Sequence, residues 1–516
     1  MADSRILLWI SVIIHTVLSA TIRTVDSGIE TRKLSIPQAP SLSRQTVDGN
    51  FQSYSIEFSY MLDYAGNDSS PNTLSKKLLQ NLYEISGAYP IIRAGGTTEN
   101  RAIFVANQSQ ALIEDFDPAN ADQPSSLSIG PAWMQSFHQF PKGTKYIYGL
   151  NFNDGEDGLL QTVLEARYAF DAIQDDLYAF EIGNEVDGFP CTSHRPCNWT
   201  VPSYVEQWKQ YAAAISSQDI GSRLDKKSEP LFQGCNFEAP RRLGYNETPY
   251  WNVESALQSG IAEAGNIKTV ADHDYMGAAC EGSPTPTIAG NLLNHFHMTS
   301  LMYYHEVLGS YAASVGVPYV LGETNTISCQ GTAGISDVYA AALWAIDYTL
   351  YVAALPVSRM YYHMGTRYRY SPWQPVEWDG VGAHVKPLYY GNLFTATAFA
   401  GGNKQIEVLI NETSFTAYAV YEGKETLKSV VLINLAMWNS TQLASQRPFT
   451  AVELPSSLSA GVVSRFTSPG VEIASNISFA GQMVDATGEI VGRRVTEKVH
   501  KGRVLIGAGE ALLISL

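Results

Sequence analysis

Charge is scarce in this 516-residue sequence, and basic residues are scarcer than acidic ones. Charged residues make up 16% of the chain, with 34 Lys and Arg against 50 Asp and Glu, so the formal net charge is −16. This balance disfavours nucleic acids and long sulfated polyanions as partners, although a few local groups can still bind a small acidic ligand. Hydrophobic residues reach 45%, which predicts a large folded core rather than a disordered chain.

Cysteine is also scarce, and the spacings that mark common metal sites are missing. The five cysteines, Cys191, Cys197, Cys235, Cys280 and Cys329, form no Cys-x-x-Cys motif, and the sequence has no His-x-x-x-His pair. No metal site is therefore expected, and no organic cofactor is implied. An odd cysteine count leaves at least one thiol unpaired in an oxidising compartment, while Cys191 and Cys197 are close enough to close a short loop.

The sequence has one long apolar run, which lies at the N-terminus. Arg5 precedes residues 6–18, a run shorter than a membrane-spanning helix, and the small residues Ser19 and Ala20 follow it. This pattern is typical of a secretory signal peptide, here residues 1–20, with cleavage near Ala20. The mature protein is therefore expected to be extracellular, without stable membrane association.

Sequons for N-glycosylation support this prediction. Seven Asn-x-Ser/Thr motifs follow the leader, and together they predict a glycoprotein with glycans on several exposed loops. Their asparagines are Asn67, Asn107, Asn198, Asn246, Asn411, Asn439 and Asn476.

The order of apolar patterns predicts the fold class, α/β with a C-terminal all-β domain. From residue 50 to 395, runs of helical periodicity separate eight β-rich runs: YSIEFSY, YPIIRAGG, TKYIYGLNF, LYAFEIGNE, EPLFQGCNF, IKTVADHDY, VPYVLGET and RMYYHMG. This alternation predicts a (β/α)8 TIM barrel over residues 50–395. Short alternating runs then predict a β-sandwich over residues 396–516, and residues 21–49 are a candidate for one more strand of it.

The carboxyl ends of two predicted strands carry glutamates. Glu185, directly after Asn184, ends the fourth strand, and Glu323 ends the seventh. In a closed barrel these ends face each other across the mouth, where the working groups of this fold lie. Retaining cleavage of a glycosidic bond needs two carboxyl groups about 5–5.5 Å apart, and a neighbouring amide can bind the sugar 2-hydroxyl. Either glutamate alone could be a solvated loop residue or a helix cap, but the pair favours catalysis.

The same motifs resemble known enzymes. IGNEVDGF and LGETN are similar to the retaining (β/α)8 glycosidase clan. IIRAGGTTEN, YGLNF, ADHDY and GETNTISCQGTAGISD resemble glycoside hydrolase family 79, the β-glucuronidases and heparanases. The similarity extends over essentially the whole mature chain. It implies that Glu185 is the acid/base and that Glu323 is the nucleophile.

The resemblance also implies a set of substrate contacts. Glu57 would bind sugar hydroxyls, and Tyr275 would lie beside the nucleophile. The loop TISCQGTAG would hold the substrate carboxylate with backbone N–H groups, helped by one of two tyrosines in the segment after the eighth strand. The full predicted set is Glu57, Asn184, His273, Tyr275, Gly331, Tyr368 and Tyr370.

The loop after the seventh strand departs from the family pattern. Heparanase-like members place a tyrosine and several glycines there, whereas this chain has Ser328, Cys329 and Gln330 before Gly331. Backbone donors do not depend on the side chains, so carboxylate binding is still expected. Cys329 either pairs with Cys280 and stiffens the loop or remains a buried thiol.

Other side chains at the predicted mouth have two interpretations. Arg93 either anchors the barrel mouth or keeps Glu323 ionised, and His363 is either packed or functional. Trp373 and Trp378, beyond the eighth strand, are predicted at the rim of the site, where an indole can contact a sugar.

The resemblance implies a secreted exo-β-glucuronidase that removes terminal glucuronic acid, with or without a 4-O-methyl group, from glycans. One alternative is an endo-β-glycosidase that cuts a glucuronic-acid-containing polysaccharide, as heparanases do. Another is a catalytically silent carbohydrate-binding protein. The net charge disfavours the first alternative, because an open cleft for a polyanion should be basic. The presence of both carboxylates disfavours the second.

Overall fold

The computed structural model of the protein describes residues 23–26, 29–40, 45–118, 122–217, 230–238, 251–423 and 425–516. The predicted signal peptide and the sequon at Asn246 lie outside these residues. Across the described ranges, no helix is both long enough and apolar enough to cross a membrane.

Eight parallel strands close into a barrel, which confirms the predicted TIM-barrel fold. In chain order they are β1 (Gln52–Glu57), β2 (Ile92–Gly95), β3 (Tyr146–Leu150), β4 (Leu177–Ile182), β5 (Phe232–Phe237), β6 (Ile267–Tyr275), β7 (Tyr319–Asn325) and β8 (Arg359–Met364). Each strand pairs with the next, and β8 pairs with β1. The helices around the barrel include Thr73–Ser86, Gly155–Ile173, Val201–Ser216, Val253–Gln258, His295–Ser314, Tyr339–Ala353 and Pro387–Ala398.

Helix Thr73–Ser86 shows how the local sequence sets these elements. The Asn72 side chain accepts a backbone hydrogen bond from the first turn, and Gly87 ends the helix in the left-handed conformation. Apolar residues recur about once per turn and form the face that packs on the barrel. They include Leu74, Leu78 and Leu82, all buried.

A small sheet interrupts the barrel between β2 and β3. Its strands are Ala102–Phe104, Leu112–Asp115 and Ser126–Ile129, and the 3₁₀ helix Pro131–His138 follows. We call residues 102–129 the insertion. The sequence pattern predicted only the helical stretch, because strands of three or four residues are too short to give a clear alternating pattern.

The C-terminal region forms two sheets around a separate apolar core. The larger sheet contains Lys404–Glu412, Phe415–Glu422, Thr426–Asn434, Val462–Thr467, Ser478–Phe479, Glu497–Lys498 and Glu510–Ser515. The smaller contains Arg23–Asp26, Ile29–Lys33, Phe449–Glu453 and Arg503–Gly507. Buried residues from both sheets, including Leu432, Val452, Ile506 and Leu512, meet between them. The N-terminal strand Ile29–Lys33 therefore lies in the sandwich, parallel to Phe449–Glu453.

Helix Tyr339–Ala353 lies between the barrel and the sandwich. All of its residues except Tyr351 are buried. Its Asp347 accepts hydrogen bonds from Thr416 and Tyr418 of the larger sheet. The sandwich is thus packed against this helix of the barrel wall.

Candidate active site

Glu185 and Glu323 face each other at the carboxyl ends of β4 and β7. Oxygen atoms of the two carboxyl groups and a nitrogen of His273 all lie within 4.8 Å of one another. The Glu185 side chain is 27% exposed and that of Glu323 is 8% exposed, so the first is the more accessible from the mouth. Glu185 adopts a left-handed conformation, and its N–H donates to the carbonyl of Asn236 in β5. The arrangement matches the close carboxyl pair that a retaining glycosidase requires.

A buried arginine, Arg93 in β2, organises the floor of the site. Its guanidinium donates to both oxygens of Glu181 at 2.9 and 3.0 Å and to Glu323 at 2.9 Å. It also donates to the hydroxyl of Ser55 and to the amide oxygen of Asn184. Branched apolar residues usually fill the interior of a TIM barrel, so this polar layer departs from the usual packing. Of the two interpretations of Arg93, these contacts favour a direct ion pair with Glu323.

His363 is a second basic group beside Glu323. Its Nδ1 lies 3.4 Å from Glu323 and its Nε2 lies 3.3 Å from Glu57. Burial lowers the pKa of His363, but the two carboxylates outweigh it and raise the pKa. Burial likewise opposes ionisation of Glu323, yet His363, Arg93 and a 2.7 Å hydrogen bond from the Tyr275 hydroxyl lower its pKa to about 2. Glu323 is therefore a carboxylate near neutral pH.

The surroundings of Glu185 shift its pKa in the opposite direction from that of Glu323. Burial, followed by the negative charges of Glu323 and Glu238, raises the pKa of Glu185 well above its ordinary value. Its Oε1 lies 3.0 Å from Nδ1 of His273, and burial lowers the pKa of His273 to about 4, so this imidazole is neutral. Two carboxyl groups whose environments push their pKa values apart can act as a proton donor and a nucleophile.

Some buried polar groups beside this pair have no partner within the described part of the chain. They include Nδ2 of Asn184 and Nε2 of His273. The Asn184 amide is fixed in orientation, because its oxygen accepts from Arg93 and its backbone carbonyl accepts from Asn100 Nδ2. Unpaired buried groups are rare in native proteins, so these two atoms are candidates for contact with a ligand.

Glu57, at the end of β1, is fully buried and bonded to protein groups. It accepts from the N–H and hydroxyl of Thr98, from Gln123 of the insertion at 3.0 Å and from the Tyr368 hydroxyl at 3.0 Å. Gly96 makes room for it, because a Cβ there would lie 2.8 Å from a Glu57 oxygen. These bonds use most of the acceptor capacity of a carboxylate, and its contact with sugar hydroxyls stays a prediction.

Two disulfides flank the site. Cys191–Cys197 closes the short loop after Glu185, and Cys280–Cys329 joins the loop after β6 to the loop after β7, while Cys235 is a buried free thiol. Of the alternatives that the sequence left open for Cys329, pairing with Cys280 is the one present.

The loop after β7 has an unusual backbone. Cys329, Gln330 and Gly331 have φ values of 57°, 65° and 81°, and within the described residues the N–H groups of Gln330 and Gly331 have no acceptor. The Arg369 N–H donates to the carbonyl of Gln330 at 2.8 Å, which holds the loop against the segment that carries Tyr370. Successive N–H groups in turn conformations can form a concave site for an anion.

Trp373 does not lie at the rim, and that prediction was wrong. The ring is completely buried, packs against Tyr54 and Tyr64, and donates its indole N–H to the hydroxyl of Ser75. The chain turns inward after β8, which the distance from the strand end did not reveal. Trp378 is 42% exposed, and its place at the rim stays a prediction.

Glu181, Gln123 and Asn100 contact groups of the site, although the sequence predicted no role for them. The sequence does carry a sign of Glu181, because it is a single acid between Phe180 and Ile182 in an otherwise apolar strand. A buried acid of this kind needs a cation as its partner. Gln123 and Asn100 left no such sign, because they come from a loop and from the short 3₁₀ helix Thr97–Arg101, which approach the site only in the folded barrel.

The group formed by Glu185, His273 and Glu323 offers the only arrangement in the described residues that could hold a metal ion. Its electrostatics disfavour one, since Arg93 already places a cation 2.9 Å from Glu323 and burial raises the pKa of Glu185. We therefore interpret the three residues as a proton-transfer site.

Replacing Arg93 is expected to destabilise the barrel strongly. In Arg93→Met, the buried Glu181 and Glu323 carboxylates lose their partner, which should lower the free energy of unfolding by about 3–5 kcal/mol. Urea unfolding followed by tryptophan fluorescence measures the change. Arg359→Met is the matched control, since Arg359 contacts Asn50 at the other end of the barrel and should lose about 1 kcal/mol. Equal losses in both variants would contradict an ion-pair role for Arg93.

Comparisons with known proteins identify the family and support the fold. The sequence profile of the glycosyl hydrolase family 79 C-terminal beta domain matches residues 417–513. A β-glucuronidase of Aspergillus niger is 31% identical over 454 residues, which cover 86% of this chain and 81% of that protein. A β-glucuronidase of Neurospora crassa is 33% identical over 465 residues, which cover 83% of this chain and 78% of that protein.

Solved structures share the two-domain fold. A 4-O-α-L-rhamnosyl-β-D-glucuronidase from Fusarium oxysporum 12S, solved as a Rha-GlcA complex, has a TM-score of 0.77 and 24% identity, covering 94% of this chain and 100% of that chain. An arabinofuranosidase has a TM-score of 0.58 at 12% identity, covering 93% of this chain and 98% of that one.

Proposed function

Because this chain belongs to glycoside hydrolase family 79, we propose that it is a secreted, retaining exo-β-glucuronidase. It removes terminal glucuronic acid, with or without a 4-O-methyl group, from glycans. The observation that carries the proposal is the pair of carboxyl groups, Glu185 and Glu323, with pKa values pushed in opposite directions. Two curated β-glucuronidases with more than 30% identity over most of the chain support the choice of sugar.

The proposed reaction is a double displacement. Glu323, ionised near neutral pH, attacks the anomeric carbon while the protonated Glu185 gives its proton to the leaving oxygen. The bond from the anomeric carbon to the leaving oxygen breaks, and a glycosyl-enzyme forms on Glu323. Glu185, now ionised, takes a proton from water, which attacks the anomeric carbon and releases the sugar with its original configuration.

The unpaired amide of Asn184 fits the sugar 2-hydroxyl. Its oxygen is held by Arg93, so its NH₂ group faces away from the guanidinium. Hydrogen bonds to this hydroxyl strengthen in the transition state of glycosidases. Arg93 would thus position both the nucleophile and this substrate contact.

The loop after β7 supports recognition of a carboxylate. The N–H groups of Gln330 and Gly331 lack acceptors within the described residues, and Tyr370 lies beside them, with its ring centroid 6.0 Å from that of Tyr275. Donors fixed by the backbone and by the Cys280–Cys329 disulfide cost little ordering entropy on binding. We propose that they hold the carboxylate of glucuronic acid.

A panel of aryl β-glycosides tests the sugar specificity. The glucuronide or its 4-O-methyl derivative should have a kcat/KM at least about 10²-fold above those of the glucoside, xyloside and galactoside, because the loop donors stay unpaired with a neutral sugar. Initial rates from released aryl alcohol give these values, and Glu323→Ala protein from the same host controls for contaminating glycosidases. A higher kcat/KM for the glucoside than for both uronides would overturn the proposal.

A wall on the side of β1 and β8 supports exo action. Gln123 of the insertion donates to Glu57 and, at 2.6 Å, to the Tyr368 hydroxyl. One residue earlier, Asp122 pairs with Arg369 of the segment after β8. In the barrel order, β8 and β1 lie across from β4, which carries Glu185. The leaving group departs beside Glu185, so the wall faces the opposite end of the sugar ring.

An aromatic contact extends this wall outward. The guanidinium of Arg367 lies 4.5 Å from the ring centroid of Phe116 in the insertion and 3.5 Å from that of Trp378. Such contacts contribute about 0.5–1 kcal/mol at exposed sites. Together with the ion pair of Asp122, they join the insertion to the segment after β8, which supports a pocket that a continuing chain cannot cross.

Product analysis of a glucuronic-acid-terminated oligosaccharide tests exo action. Free glucuronic acid should appear from the first time point, while the remaining oligosaccharide shortens by one residue only, because the wall admits a terminal sugar. Chromatography with mass detection follows both products. A rapid fall in the chain length of a glucuronic-acid polymer before any monosaccharide appears would favour the endo alternative.

Secretion is part of the proposal and is supported by the leader and the sequons. In the described part of the chain, the sequon asparagines all have exposed side chains, as N-glycosylation requires. They are Asn67, Asn107, Asn198, Asn411, Asn439 and Asn476. The partner expected from the proposed reaction is a glycan or glycoside that bears glucuronic acid. The reaction needs no nucleic acid and no membrane.

A further inference from the structure

A solvent-facing pocket of about 340 Å³ lies where the sandwich meets a barrel helix. Its walls are Phe296, near the start of helix His295–Ser314, and residues 411–414 of the larger sandwich sheet. Phe296 is 70% exposed, the highest value among the large hydrophobic side chains in the described residues. The volume is within the range of small ligand sites, and the proposed hydrolysis uses none of these residues.

The two walls are held together by hydrogen bonds beneath the pocket. The His295 N–H donates to the carbonyl of Thr413 at 3.0 Å. The His295 Nδ1 also lies 2.7 Å from Asp347, which accepts from Thr416 of the same sheet. The start of the helix that carries Phe296 is therefore held to the larger sandwich sheet, so the exposed side chain projects from a well-bonded junction.

Asn411, in the opposite wall, begins one of the sequons. Residues 411–413 read Asn-Glu-Thr, and the Asn411 side chain is exposed. The first sugar attached to its Nδ2 would start inside the pocket that Phe296 lines. One face of a pyranose ring presents C–H groups, an apolar surface that can cover an aromatic ring of similar size. A glycan attached to Asn411 could therefore cover the exposed ring of Phe296.

We propose that Asn411 carries an N-glycan whose first N-acetylglucosamine packs on Phe296 and joins the sandwich to the barrel helix. The modification forms a bond between Asn411 Nδ2 and C1 of the sugar and breaks the bond from C1 to the diphosphate of a lipid-linked donor. The amide proton leaves with the released lipid diphosphate. The proposal rests on secretion and is independent of the enzyme's substrate.

Secreted protein from a eukaryotic host tests both parts. Glycopeptide mass spectrometry should find Asn411 occupied. Four proteins are then compared by their thermal unfolding midpoints: the parent, Phe296→Ala, Asn411→Gln and the double variant. Phe296→Ala should lower the midpoint by about 1–2 °C with the glycan present and should have no effect in the Asn411→Gln background.

A matched control variant tests whether the effect is specific to the glycan on Asn411, and three outcomes would overturn the proposal. Asn476→Gln removes another exposed sequon and should leave the effect of Phe296→Ala unchanged. Glycans at other sequons with Asn411 unmodified would overturn the proposal, as would equal shifts in both backgrounds of the cycle. A secreted chain without any N-glycan would overturn it as well, while the aryl glucuronide assay would still report on the proposed enzyme activity.

Discussion

Glu323→Ala is expected to lower the turnover of an aryl β-glucuronide by about 10⁴–10⁶-fold, because no glycosyl-enzyme can form. The loss should be similar for good and poor leaving groups, since the attacking group itself is missing. Steady-state rates with nitrophenyl and alkyl glucuronides measure this. Added azide can occupy the space of the lost carboxylate and attack the anomeric carbon, so any product should be the α-glucuronyl azide.

A control is needed because Glu323 also pairs with Arg93, and its loss can destabilise the barrel. Glu165→Ala removes another buried glutamate, whose carboxyl accepts from Tyr148 outside the mouth. Its turnover should stay within a few-fold of the parent's. A folded Glu323→Ala protein that keeps a tenth or more of parental turnover would contradict the nucleophile role.

Glu185→Ala is expected to show a loss that depends on the leaving group. General acid assistance contributes roughly 10²–10⁴-fold, so a natural glycan should lose that much in the first step. A nitrophenyl glucuronide should lose far less, because nitrophenolate departs without a proton. Hydrolysis of the intermediate should become slow, since Glu185 also activates water. The measurements are pre-steady-state release of nitrophenol and steady-state turnover.

Azide separates the two roles. It needs no base, so it should restore turnover in Glu185→Ala and yield the β-glucuronyl azide, which NMR distinguishes from the α-product. The neighbouring Glu238→Ala is the control, because this exposed residue raises the pKa of Glu185 without contacting the reacting atoms in the proposal. The α-azide from Glu185→Ala, with the β-azide from Glu323→Ala, would reverse the assignment.

The sequence predicted those parts of the fold that local patterns encode. The eight β-rich runs correspond to the eight barrel strands, and the change in texture after the barrel marks the sandwich. Glu185 and Glu323 could be predicted as a facing pair because each lies near the end of a predicted strand, and counting strands puts them on opposite sides of the mouth. Counting needs neither exact strand boundaries nor knowledge of the insertion.

The charges around the two glutamates could not be predicted in this way. Arg93 reaches Glu181 because β2, β3 and β4 are paired in one particular register, with Arg93 opposite Ile147 and Glu181 opposite Gly149. Register is set by packing of the whole barrel and not by any local run of residues. The sequence therefore left Arg93 with two interpretations, and only the folded barrel distinguishes them.

Trp373 and Gln123 show the same limit in irregular segments. Trp373 follows β8 closely in sequence, but its side chain lies in the core. Gln123 is distant from Glu57 in sequence, yet the two side chains are hydrogen-bonded. Loop direction depends on contacts with distant parts of the chain, which a single sequence does not reveal.

Covalent labelling tests the central claim most directly. A 2-deoxy-2-fluoro-β-glucuronyl fluoride should react with the enzyme and accumulate as a glycosyl-enzyme, because fluorine at C2 slows both steps and the fluoride leaving group needs no acid. Peptide mass mapping should find the label on the peptide that contains Glu323, with one sugar per chain. A label on Glu185, or no label while the enzyme hydrolyses aryl β-glucuronides, would contradict a double displacement with Glu323 as the nucleophile.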